Sequence, residues 1–258
     1  MLLGAALLVG QPVEAADAKP KAASAAKKPA ATKKAPPAKA AAGKPAGKKA
    51  ATAKKKEVED KTPGPLADFG EVEASKDVVH VANWVSYGRK HKKKGFVIID
   101  KKQAKLYVFD ASAKLKGETT VLLGKAIGDH SAPGIGSKPF SQIKEEEKTT
   151  PAGWFYAQVG KNTKAEDIIW IDYKNSVSMH RTRMVDEEER RAERMATPDP
   201  GDNRISYGCV NVPAKFYDTV LKPMVRKPGA YVFVLPETKT PQQFFGSYDV
   251  TAAQKAGG

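Results

Sequence analysis

The chain has 258 residues, enough for one domain of ordinary size with appendages, and its 28% charged and 41% hydrophobic content is that of a globular protein. Its net charge of +15 is uneven: residues 17–56 carry 13 lysines and one acid, whereas residues 57–258 carry 31 basic and 27 acidic side chains. The folded part is therefore nearly neutral, and the high isoelectric point belongs to one segment. A single cysteine, Cys209, excludes an intramolecular disulfide and a zinc site built on two or more thiolates.

Residues 1–16 join an apolar run, Met1 to Gly10, to small residues in an A-x-A-like pattern at Val13 and Ala15. This reads as a secretory signal lacking its positive n-region, so either the true start lies upstream or the N-terminus is simply apolar. Residues 17–60 are Lys/Ala/Pro-rich, too poor in apolar surface to offset chain entropy, and read as disordered. Behind an export signal these lysines suit anionic envelope polymers or membrane headgroups. A plain spacer is the alternative, and nucleic acid, the histone-tail reading, is the least favoured partner. Nothing after residue 20 approaches the ~20 apolar residues that span a bilayer.

Val78, Val81, Ala82 and Val85 lie at helical spacing, which predicts a helix within 76–94 flanking the domain. His80 and His91, which fall there, receive no functional role. From Gly95 the pattern changes to short β-rich runs. Phe96–Ile99 and Leu106–Phe109, separated by Lys101-Lys102-Gln103, predict a hairpin; Thr119–Leu123, Trp154–Val159, Ile168–Ile171 and Tyr231–Leu235 continue the series. Pro213 suits a first helical position, ahead of Phe216, Tyr217, Val220 and Leu221, with Pro223 or Pro228 closing the segment. The fold class expected is mainly β, a sandwich or barrel-like domain with one or two short helices.

The chemistry concentrates in Arg204-Ile205-Ser206-Tyr207-Gly208-Cys209-Val210-Asn211-Val212-Pro213. A catalytic thiol needs a base, backbone amides to hold an oxyanion, and room for an acyl group. Gly208 opens space before the sulfur, and a helix near Pro213 would bring its positive end toward it. The base candidate is His180, at the end of the alternating run Ser176-Val177-Ser178-Met179-His180. His130, in a turn-like Gly/Pro segment, is the rival, better read as a solvated loop histidine. An inert, buried cysteine is the bland alternative that residue pattern alone leaves open.

The stretch from about Gly95 to Pro236 resembles the catalytic domain of the L,D-transpeptidases, also called the YkuD family. That family's signature is a histidine, a spacer, then Ser/Thr-His-Gly-Cys, an apolar residue and Asn or Arg. Here His180 is followed by Ser206, Gly208, Cys209, Val210 and Asn211, and Thr150-Pro151-Ala152-Gly153-Trp154-Phe155 resembles the family's Thr-Pro-x-Gly-x-Phe element. Tyr207 stands where histidine is frequent, Arg181 replaces a common glycine, and Cys209 lies 29 positions after His180, longer than the signature's spacer. The excess falls within 184–203, where i,i+4 pairs Asp186–Arg190 and Glu187–Arg191 favour a short helix; it is either a surface insertion or a lid.

The resemblance implies an exported periplasmic or cell-wall acyltransferase acting on peptidoglycan stem peptides. Cys209 would be nucleophile and His180 base, with the amides of Gly208 and Cys209, with Tyr207, as oxyanion hole. Ser206 and Asn211 would brace the loop, Asn211 or Arg204 would touch substrate, and no metal or cofactor is implied. Hydrolysis at the same site, or non-catalytic binding of wall peptides, are the alternatives. Residues 237–258 read as a C-terminal extension.

Overall fold

The computed structural model describes residues 62–252 except Val185 and Lys227. The expected signal (1–16) and Lys/Ala/Pro-rich tail (17–60) lie outside the described residues. The described part is mainly β. Among the described residues no helix is long and apolar enough to cross a membrane.

A helix, α1 (Lys76–Tyr87), opens the domain; Ser75 caps it by accepting from the Val78 amide. It ends at Gly88, short of the 94 expected, because Arg89, Lys92 and Lys93 take left-handed backbone conformations and wind the chain into a tight loop. The strands β1 (Phe96–Asp100) and β2 (Lys105–Phe109) form the expected antiparallel hairpin, followed by β3 (Leu115–Thr120) and β4 (Leu123–Gly124). Then come β5 (Gly153–Lys161), β6 (Asp167–Asp172), β7 (Val177–Arg181), β8 (Arg204–Ser206), β9 (Val210–Val212) and β10 (Ala230–Val234).

Eight strands make one mixed sheet in the order β3-β2-β1-β10-β5-β6-β7-β9, with β4 and β8 as a separate parallel pair. The two edges nearly meet. Leu122, just beyond β3, exchanges both backbone hydrogen bonds with Asn211 of β9, at 3.0 and 2.8 Å. That closure removes most of the exposed edge a sheet of this size would otherwise present.

Strand β1 is buried at every position, which explains its continuous apolar run. Its alternate residues serve two cores. Val97 and Ile99 face the barrel interior with Val108, Ile169, Met179, Val210, Tyr217 and Leu221. Phe96 and Ile98 face outward, where Val78, Val81, Trp84 and Val85 of α1 cover them. The C-terminal extension adds to that outer core. Its helix α5 (Pro241–Phe245) stacks Phe245 on Trp84 with ring centroids 6.2 Å apart.

Helical structure exceeds the one or two helices expected. Besides α1 and α5 there is α2 (Arg191–Ala196) and a composite segment: α3 (Ala214–Phe216), a π turn at Tyr217–Leu221, and α4 (Lys222–Arg226). Pro213 is the cap of this segment rather than its first turn, and Pro223 lies inside it rather than closing it. Proline lacks the N–H that would bond four residues back and clashes with that carbonyl; a wider π turn immediately before it relieves both problems.

Candidate functional site

Parallel pairing of β7 with β9 assembles the site. Met179 pairs with Val210 and His180 with Asn211, so Ser178 stands across from Cys209. Side chains alternate along a strand, and the register sorts them cleanly. Val177, Met179, Val210 and Val212 point into the core. Ser178, His180, Cys209 and Asn211 therefore share the opposite face, with the imidazole on the diagonal from the thiol.

Cys209 Sγ lies 3.6 Å from Ser178 Oγ and 3.6 Å from the Ser176 carbonyl oxygen. No hydrogen bond joins it to His180 among the described residues, whose imidazole is half-buried. The His180 Nδ1 sits 2.9 Å from the Arg181 carbonyl. A carbonyl can only accept, so Nδ1 carries the proton and Nε2 is left as the basic nitrogen. Burial lowers the His180 pKa below the usual histidine value; its bond to the Arg181 carbonyl opposes that, and Arg183 and Arg191 lower it further. The imidazole is thereby held neutral, the state a general base requires.

Arg181, the residue in place of the family's glycine, does not disturb this face. Alternation turns it to the other side, where its guanidinium lies 4.5 Å from the centre of the Tyr217 ring and bonds Asp167 and Asp218.

The loop before Cys209 is rigidly tied. Gly208 has φ +124°, which disfavours any side chain there, and an added Cβ would come within 2.8 Å of the Thr149 carbonyl. Ser206 Oγ donates to the Cys209 carbonyl at 2.6 Å and accepts the Gly208 amide at 3.1 Å. The Gly208 amide, which the resemblance offers as an oxyanion donor, bonds Ser206 in this structure. Thr150, from the Thr-Pro-x-Gly-x-Phe element, ties the loop from the other side: its hydroxyl donates to the Gly208 carbonyl at 2.9 Å and accepts the Gly124 amide at 2.8 Å. Tyr207 is 45% exposed, edge-on to Phe140 and under the Lys148 ammonium, 4.0 Å from its ring centre.

Three further expectations need correction. Arg204 is not available to a substrate carboxylate. It is ion-paired to the buried Glu237 and donates to the Lys101 carbonyl at 2.7 Å. Beneath it, Lys101, fully buried, contacts Asp129 at 3.0 Å and Glu237 at 3.4 Å. Asn211 is 1% exposed and does not face substrate; its Oδ1 accepts from Arg191 at 2.7 Å, while its Nδ2 donates to the Cys209 carbonyl at 3.4 Å. The segment after Pro213 does not aim its positive end at the sulfur either. All of β9, at about 3.3 Å per residue, lies between them.

The insertion 184–203 folds compactly beside this face. It contains the expected short helix, α2, starting at Arg191, but neither i,i+4 pair forms: Asp186 caps the turn at Glu187–Glu189, Arg190 pairs with Glu193, and Arg191 with Glu189 at 2.5 Å. Arg194 clasps both ends of the insertion by donating to the Glu189 and Asp202 carbonyls. The other histidines stay apart from the thiol. His130 is exposed against Phe244, His80 meets Ser247, and His91 is buried under its own loop.

Ser178, Thr150 and Arg191 were missed in sequence as members of the site. Ser178 had a signal in its i−2 spacing from His180 on an alternating strand, and Thr150 in the Thr-Pro-x-Gly-x-Phe element; Arg191 had none. Among the described residues no cluster of His, Cys, Asp or Glu is placed to hold a metal ion.

No protein-family model and no curated protein matches the chain. Solved structures do. The catalytic domain of an Enterococcus faecium L,D-transpeptidase is 20% identical over 55% of this chain and 98% of that one, with a TM-score of 0.32. An L,D-transpeptidase from Stackebrandtia nassauensis is 19% identical over 64% of this chain and 68% of that one, with a TM-score of 0.34. In a longer E. faecium L,D-transpeptidase structure, 18% identical with a TM-score of 0.30, the match covers 55% of this chain and 50% of the other. At these identities the likeness is one of fold.

Proposed function

We propose that this chain is an exported cysteine acyltransferase of the L,D-transpeptidase type, acting on the tetrapeptide stems of peptidoglycan through a Cys209 thioester. The observation that carries the reading is the shared face of Cys209 and His180, fixed by the β7–β9 register, with the basic nitrogen of His180 uncommitted. The sequence signature around Cys209 supplies the substrate class.

In the first half-reaction His180 Nε2 takes the thiol proton as Sγ attacks the carbonyl carbon of the third stem residue. The oxyanion is held by the amides of Tyr207 and Cys209. Collapse expels the terminal D-alanine, whose amine receives the proton from His180, and leaves a thioester. An acceptor amine then attacks; His180 takes its proton and returns it to the departing sulfur. The imidazole reaches the thiol from its diagonal position by rotation about its side chain, an adjustment ordinary for a site without substrate.

The insertion 184–203 joins this scheme as a lid. It starts just after His180 and ends just before the nucleophile loop, and Arg191 anchors it to Asn211. A cover over the thioester keeps water from competing with the amine. Incubating the protein with defined tetrapeptide muropeptides, with and without an amine acceptor, and weighing the products tests the reading. Loss of D-alanine with amine-dependent cross-linked product supports it. Hydrolysed tripeptide alone assigns the same site to a carboxypeptidase, and unchanged muropeptides assign it to binding without turnover.

A further inference from the structure

The end of the sheet away from the thiol carries an unexplained concentration of positive charge. Strand β1 begins at the end of the barrel opposite to Cys209, because β1 runs parallel to β10, and β9 runs antiparallel to both through β5, β6 and β7. The loop that enters β1 reads Arg89-Lys90-His91-Lys92-Lys93-Lys94, five cations with no acid.

This loop is built, not frayed. Arg89, Lys92 and Lys93 hold left-handed conformations, and backbone bonds Lys92 to Arg89 and Lys94 to His91, at 2.9 and 3.0 Å, close two successive turns. His91 is the buried pin. It is 4% exposed, lies against Phe96, and makes a 2.8 Å bond to the Lys94 carbonyl. Packing the imidazole inward leaves Lys92 and Lys93 exposed.

Beside the loop opens a cleft of about 490 Å³. Lys93, Lys94 and Lys116 line it, while Val220, Pro223 and Met224 give it an apolar floor. No carboxylate lines it among the described residues. Asp110 is the nearest acid in sequence to Ala111 of the cleft wall, and its Oδ1 is taken up by Ser112 and by the Lys114 amide. The chain also enters the fold at this pole: Arg89 donates to the Thr62 carbonyl at 2.6 Å, and the Gly64 amide to the Tyr87 carbonyl at 2.8 Å.

We infer that this pole is a docking surface for an anionic phospholipid bilayer, with headgroup phosphates on Lys92, Lys93 and Lys116 and the lipid's upper methylenes on Val220, Pro223 and Met224. A cationic rim over an apolar floor matches the two-part chemistry of a lipid headgroup and its chain, whereas a water-soluble polyanion has no use for the floor. Docked this way, the protein turns Cys209 away from the membrane. The inference does not depend on the reaction performed there.

The test uses the full chain with vesicles of pure phosphatidylcholine and of equal parts phosphatidylcholine and phosphatidylglycerol, scored by co-sedimentation. Binding should be confined to the anionic vesicles and weaken with salt. Each lysine near such a surface is worth roughly a fivefold change in partition, so Lys92→Gln, Lys93→Gln and Lys116→Gln together should lower it about 100-fold. All three are exposed, so melting and Cys209 reactivity should not change. Met224→Gln, similar in size, should also weaken partition while leaving its salt dependence intact. Equal binding to neutral vesicles would overturn the inference, as would full binding by the triple variant. Full binding by Met224→Gln would overturn it too, and with displacement by soluble polyphosphate would make the pole a polyanion site instead.

Discussion

Cutting the bond between Arg191 and Asn211 isolates the contact that fastens the insertion to the nucleophile's strand. Asn211→Ala removes the 2.7 Å acceptor of a guanidinium whose side chain is only 13% exposed, with Glu189 as its remaining carboxylate partner. Hydrogen bonds to a charged group contribute about 1.5–3 kcal/mol, and truncating one partner leaves the other desolvated. For a domain of this size that is a fall in melting temperature of about 3–12 °C. Arg191→Ala should cost a similar amount, and the double variant less than the sum, with a coupling of about 1–2 kcal/mol. Because Ser206 still holds the Cys209 carbonyl at 2.6 Å, thiol acylation should change little in both variants. The ratio of hydrolysis to amine transfer should rise, since the insertion is then loosely held. Thermal melts of the four proteins, with product masses for each, make the assay. A coupling indistinguishable from zero would refute the anchoring role, and an unchanged product ratio in loosened variants would refute the lid.

Replacing Lys101 with Met removes the buried cation between Asp129 and Glu237; because Glu237 keeps Arg204 and Asp129 keeps Thr238 and the Glu237 amide, the cost should be about 1–3 kcal/mol, read as a drop in melting temperature. Gly208→Ala should cripple acylation without removing the thiol, because the left-handed backbone and the Thr149 carbonyl both resist a Cβ; thiol titration against acylation rate separates the two. Acid should destabilise the protein in two windows. His180 and His91 have lowered pKa values, so below pH 6.5 the unfolded chain binds more protons than the folded one and stability falls with pH. Asp129 is held down to about 2, since bonds from Thr238, the Glu237 amide and Lys101 outweigh its burial, so its contribution is complete above the ordinary 3.8 and vanishes as pH falls through 2. Denaturant melts across pH check both. Arg183→Gln should move the acid limb of acylation to higher pH, because it removes one of the charges that keep His180 neutral.

What could be read in sequence was what local rules govern. The β1–β2 hairpin and the strands at β5, β6 and β10 follow from apolar runs, and the alternation of Ser176 to His180 already puts Ser178 and His180 on one face. The partners of Arg204 and Asn211 were not legible. Glu237 lies 33 positions from Arg204 and Arg191 lies 20 from Asn211, and only the closed sheet brings them together. The same holds inside the insertion. Helical i,i+4 rules pair Asp186 with Arg190, but a left-handed Arg190 breaks the helix before that spacing is reached. The commitment of the Gly208 amide to Ser206 depends on a loop geometry that no periodicity encodes.

The central claim is that Cys209 forms an acyl-enzyme with a peptidoglycan stem, His180 taking its proton. Intact-protein mass after brief mixing with a tetrapeptide muropeptide tests it most directly. The account predicts an adduct equal to the substrate less D-alanine, located on Cys209 and absent in Cys209→Ala. In His180→Ala its formation should be slower by ~10²–10⁴-fold. Turnover of the muropeptide by Cys209→Ala, or an adduct that forms as fast without His180, would contradict it.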